Sequence, residues 1–199
     1  NNAAGSNGGA LLVTGLSSTT ITGANFSNNA ASGGGGAILS TSSPITIKTS
    51  TFNGNHGNSG GGAIYTNANL DITGSSFSNN DANDANAVGG AIRSSGSTLN
   101  IVSSNFTGNK AEGDSSDGGA IYASSVSNFN IKTSSIKNST AKMGGAIYAS
   151  SCGNVKIENS DISSNSGTQG GAIYSVKSGL TINHSTVNSN QASAAIIIF

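Results

Sequence analysis

The string Gly-Gly-Ala followed by Ile or Leu recurs seven times, with its Ala at Ala10, Ala37, Ala63, Ala91, Ala120, Ala146 and Ala172. The spacings are 27, 26, 28, 29, 26 and 26 residues. A second motif lies between these, an apolar residue followed three later by Asn: Phe26/Asn29, Phe52/Asn55, Phe77/Asn80, Phe106/Asn109, Ile162/Asn165 and Val187/Asn190, with Ile136/Ser139 as the variant. Five residues before that apolar position stands an Ile in every copy, at 21, 47, 72, 101, 131, 157 and 182. Two residues earlier again come Thr19, Ile45, Leu70, Leu99, Phe129, Val155 and Leu180. Copies in phase at a fixed period mark a repeat architecture, in which each unit buries its apolar face against its neighbours.

Within a period, short runs alternate apolar and polar residues and are separated by Ser, Asn and Gly. That is the pattern of three half-buried strands. The composition argues against a helix bundle or coiled coil: Gly, Ser, Thr and Asn fill 110 of 199 positions, and only 8% of residues are charged. The chain is also 34% hydrophobic and carries no net charge, unlike a disordered segment. Strands this short reach stability when each lies on its copy one period away. The spacing therefore predicts an all-β, right-handed parallel β-helix with three faces, about 26 residues per coil and roughly seven coils. At about 4.8 Å per coil it forms a rod about 35 Å long. Residues 1–199 read as one segment of that solenoid, cut within a repeat at both ends: Asn2 stands eight residues before Ala10, as Asn29 stands before Ala37.

The columns then acquire roles. Ile, Phe and Leu form interior ladders. The Asn column forms an inward amide ladder, each amide donating to the next. Ser50, Ser75, Ser104, Ser134, Ser160 and Ser185 suit a tight corner, and the Gly pair serves positive φ or close backbone approach.

These motifs resemble the Gly-Gly-Ala-Ile and Phe-x-x-Asn repeats of the polymorphic outer-membrane protein family, best known from chlamydiae. The resemblance runs along essentially the whole chain. It implies the β-helical passenger of an autotransporter adhesin, displayed at the cell surface, and brings no catalytic residues with it.

Three features lie outside the repeat's interior. Two neighbouring periods carry longer turns, and these hold Asp81, Asp84, Glu112, Asp114 and Asp117, five of the eight acids. Stacked loops bring carboxylates side by side, so these are candidate calcium ligands; no other cofactor is expected. The residue after the Ala-Ile pair points outward if Ile points inward. That column reads Leu12, Leu39, Tyr65, Arg93, Tyr122, Tyr148 and Tyr174, and a gap-free alignment of the last repeat adds Phe199. It is an apolar, aromatic stripe suited to association. Sequons at Asn25, Asn105, Asn138 and Asn183 permit glycosylation without arguing for it.

Function classes narrow accordingly. Eight basic and eight acidic residues leave no excess to bind nucleic acid, and no apolar run is long enough to span a membrane as a helix. One Cys forms no internal disulfide. An enzyme needs a cluster of acids with Arg or His that occurs once, whereas Arg93 is the only Arg and both His are isolated. An ice-binding array of Thr is too irregular, since the position before the Ile column reads Thr20, Thr46, Asp71, Asn100, Asn130, Lys156 and Thr181. The reading is a non-catalytic, extracellular structural or adhesive rod, part of a surface adhesin or filament. Its expected partners are further copies, along the rod or end to end, or a host-cell or glycan surface. The alternative is a carbohydrate-binding or carbohydrate-active β-helix.

Overall fold

A computed structural model describes all 199 residues, which form strands and turns and no helix. The strands stack in parallel into four sheets of eight, seven, seven and five strands. The eight-stranded sheet carries the Ala-Ile-Tyr strands, from Leu11–Thr14 to Ile196–Ile198. One seven-stranded sheet runs from Thr19–Thr22 to Gly179–Asn183 and the other from Asn25–Ser27 to Thr186–Asn188. Register follows the repeat, so that Ile72 pairs with Ile47 and Ile101, and Phe77 with Phe52 and Phe106.

The fourth sheet is an addition to the three expected faces. Its strands are two residues long, from Ala3–Ala4 to Lys110–Ala111. They fill the space between the ladder Asn and the Gly turn, where Ala31, Ala82 and Ala111 face inward. Two residues per coil suffice because the strand bonds to both neighbouring coils, the Ala30 N–H to the Asn2 carbonyl on one side and the Asn58 N–H to the Ala31 carbonyl on the other. Beyond Ala111 the ladder continues as single bridges through Thr140, Ser166 and Gln191.

The core is a continuous cluster of 32 buried residues. Phe26, Phe52, Phe77 and Phe106 stack face to face with centroids 4.9, 4.6 and 4.7 Å apart, the spacing of the coils themselves. The Asn ladder is present. Asn55 Nδ2 donates to Asn80 Oδ1 (2.9 Å) and to the Phe26 carbonyl (2.9 Å), while its Oδ1 accepts from the N–H and Nδ2 of Asn29. Asn2 joins the ladder through Asn29 Oδ1. The Ser column works the same way: each Oγ donates to the carbonyl two residues earlier and accepts the N–H at the same position of the previous coil, as Ser104 does with Val102 and Ser75. Buried polar groups are tolerated here because stacking satisfies them.

The two glycines of each pair do different jobs. The first turns the chain at positive φ, 63° at Gly61 and 66° at Gly118. The second allows close stacking: a Cβ on Gly62 would lie 2.1 Å from the Gly90 carbonyl oxygen one coil on. The Asn ladder breaks at one coil. Ser139 replaces Asn, so its N–H reaches Asn165 Oδ1, but it has no amide to receive Asn109.

The last strand departs from the gap-free alignment. Ile196 and Ile197 pair with Ile173 and Tyr174, so Phe199 stands two residues beyond the Tyr register. The turn before this strand is two residues shorter, because Ala195 takes the place of Ala172 in the pairing and no Gly pair precedes it.

Candidate functional site

Along the eight-stranded sheet burial alternates. Ile64, Ile92, Ile121, Ile147 and Ile173 are fully buried, and the residues that follow them are half-buried and face outward. The outward column is Leu12, Leu39, Tyr65, Arg93, Tyr122, Tyr148, Tyr174 and Ile197, in consecutive register. Leu12 is exposed at 52%, whereas Leu39 is covered. Ile197 occupies the position expected for Phe199. The Phe199 ring nevertheless folds back onto Tyr174, with centroids 5.6 Å apart and planes tilted by 53°.

The tyrosines are ordered by each other. Tyr122, Tyr148 and Tyr174 stack at 5.3 and 5.5 Å with nearly parallel planes. Arg93 lies over the Tyr65 ring, its guanidinium carbon 4.5 Å from the centroid. Ring faces are therefore taken by neighbouring coils, and the column shows ring edges and hydroxyls to its surroundings. One flank is covered by the segment leading into the Gly pair, whose bridging residues run Gly34, Gly60, Val88, Asp117, Met143 and Gln169. Gly34 leaves room for Tyr65: a Cβ there would sit 2.6 Å from Cδ1 of the ring.

Asp117 is the charged member of that flank. Burial raises its carboxyl from 3.8 to about 6, and its Oδ1 is buried without a hydrogen-bond partner. Burial, and next the Asp117 charge, push the Tyr148 phenol up to about 12. The sequence places Asp117 among the acidic inserts; its electrostatic influence on Tyr148 is an addition to that reading. The signal lay in the repeat, since Asp117 occupies the column otherwise held by Gly, Val, Met and Gln.

The five insert acids do not converge. The two long turns do stack, Ser115 N–H on the Ala85 carbonyl and Glu112 N–H on that of Ala82. Stacking, however, fixes only which residues neighbour each other. Asp81 leaves from the narrow sheet and pairs with His56 Nδ1 at 2.7 Å, while His56 Nε2 meets Asn58 Oδ1 at 2.9 Å. Asp84 receives the Ala85 N–H, Glu112 stands 3.9 Å from Lys110, and Asp114 faces Lys142. Asp117 lies at the far end of its turn, beside the tyrosines. No group of three or more His, Cys, Asp or Glu stands close enough to hold a metal ion. The sequon residues Asn25, Asn105, Asn138 and Asn183 are all exposed.

No curated protein and no solved structure matches the chain. Residues 23–41, 49–67 and 103–124 match the Chlamydia polymorphic membrane protein repeat. Each match begins just ahead of a Phe-x-x-Asn and ends in or just beyond the following Ala-Ile strand, so it takes in the Asn ladder, the narrow sheet, the Gly turn and the outward column. The chain is a parallel β-solenoid in which three segments match the Chlamydia polymorphic membrane protein repeat.

Proposed function

We propose that this chain is a stretch of an extracellular, non-catalytic rod that holds a surface or further copies of itself through the outward column of Tyr65, Tyr122, Tyr148 and Tyr174. Support comes from how the chemistry is distributed. The inward Asn and corner Ser side chains are committed to ladders, and the ion pairs are spread along the rod. The carrying observation is the outward column. On this sheet alone, apolar and aromatic residues face outward from coil to coil along the rod. Aromatic side chains with a polar tip favour contact surfaces. A repeat shared with a family of membrane-associated proteins supports display at a cell surface.

The test is the triple change Tyr122→Ser, Tyr148→Ser and Tyr174→Ser. Adhesion of chain-coated beads to cells, and sedimentation of the free chain, should both be compared with the parent. The expected outcome is loss of adhesion or of self-association with a small change in melting temperature, because half-buried outward rings contribute less than core. Unchanged adhesion together with unchanged sedimentation contradicts the proposal.

A further inference from the structure

We infer that the outer face of the sheet holding Asp71, Asn100, Asn130 and Lys156 is a binding site for a neutral oligosaccharide. In a solenoid, a column that repeats serves the fold, and a local departure from the repeat marks something else. The outward position before the Ile column is Thr at Thr20, Thr46 and Thr181, and over the four coils between Thr46 and Thr181 it becomes Asp71, Asn100, Asn130 and Lys156. None of the four supports the core; all are half-buried at the surface.

The side chains are tied to one another and so are pre-organised. Asn100 Nδ2 donates to Asp71 Oδ1 at 2.7 Å, and Asn130 Nδ2 to Asn100 Oδ1 at 2.8 Å. Lys156 Nζ lies 2.9 Å from Glu158 Oε1, and this hydrogen bond holds the Glu158 carboxyl below its usual range. They line a trough of about 340 Å³, whose edge includes Lys132. That volume falls within the range of ligand sites. Four coils at about 4.8 Å set the row about 14 Å long, a shape for an extended oligomer rather than a compact metabolite.

Chemistry selects the ligand. Asp71 and Glu158 balance Lys132 and Lys156, so the trough has no net charge and gives no advantage to an anionic or cationic chain. Amide N–H, ammonium, carboxylate and amide oxygen alternate, matching hydroxyl groups that both donate and accept. The lining has only three hydrophobic residues, and Ile72 and Ile131 are buried beneath it, which leaves no pocket to anchor peptide side chains. This site lies on a different sheet from the tyrosines, so it goes beyond the rod reading and stands or falls without it.

The whole chain should be tested on an array of immobilised neutral gluco-, galacto- and manno-oligosaccharides, with titration calorimetry on any that bind. The expected result is binding that raised salt does not weaken. The double change Asn100→Ala and Asn130→Ala should weaken it by about tenfold or more, as loss of ligand hydrogen bonds does, with the melting curve preserved. The triple Tyr→Ser chain should bind like the parent. Failure to bind any neutral oligosaccharide overturns the inference, as does binding only to charged glycans or only to peptides. Binding indifferent to Asn100→Ala and Asn130→Ala, or lost in the Tyr variant, overturns it too.

Discussion

At Thr133 the backbone turns with φ 51°, a left-handed conformation that suits glycine and strains a β-branched residue. The same corner of other coils uses Gly23 and Gly74, at 64° and 60°. Each corner needs one such residue, and from Thr49 onward it is followed by the Ser whose Oγ takes the N–H of the coil before. Thr133→Gly is expected to stabilise the chain by about 1 kcal/mol, since an L-residue in this region costs about 1–2 kcal/mol and the glycine loses some of that to chain entropy. Urea unfolding checks it; a lower midpoint contradicts it. Asp117 gives a second prediction at this scale. Its carboxyl titrates near 6 when folded and near 3.8 when free. The folded chain therefore binds the proton more tightly. No penalty exists below about pH 4, where both states are protonated, and the penalty is complete above about pH 6. Stability should fall as pH rises through that window. Asp117→Asn should flatten the dependence and raise the melting temperature at neutral pH. A wild-type stability curve rising with pH over that range, or one unchanged in the variant, contradicts the assignment.

Between residues and the whole molecule, the units are the ladders. The interior Phe stack runs through the first coils and ends at Phe106, where Ile136 takes over. The Asn ladder breaks at the same coil. Ser139→Asn should restore it, giving Asn109 an acceptor and returning an amide to Asn165 Oδ1. With a net gain of about 1 kcal/mol per hydrogen bond, the expected stabilisation is about 1–2 kcal/mol. Thermal unfolding measures it, and destabilisation would mean the space beneath Ser139 is already filled. Ladders were the most legible part of the sequence. A residue's partner lies one period away, so the columns of Ile72, Phe77, Asn80 and Ser75 carry their own register. Other features were not legible for equally physical reasons. The narrow sheet is two residues wide and has no alternation to detect. The final register turns on loop length, which a gap-free alignment hides. The acids of the inserts share a neighbourhood along the chain, but Asp81 starts the first long turn and Asp117 ends the second, one toward His56 and the other toward Tyr148. The aromatic column was legible from period-two alternation; the stacking that turns its ring edges outward was not.

The molecule as a whole is a one-dimensional stack, in which a coil touches the coil above and the coil below. Surface functions on different sheets are then separable, as are the aromatic column and the Asp71–Lys156 trough. The same architecture dictates how damage spreads. Ile101 is fully buried between Ile72 and Ile131. Ile101→Asp buries a carboxylate without a partner, a loss of several kcal/mol. Amide hydrogen exchange read residue by residue on that variant tests the central claim most directly. Protection should collapse in the coils of Ile72, Ile101 and Ile131 and persist near Ile47 and Ile157. Uniform loss across all coils, as in a globular core, or no loss at all, would contradict the stacked-coil account.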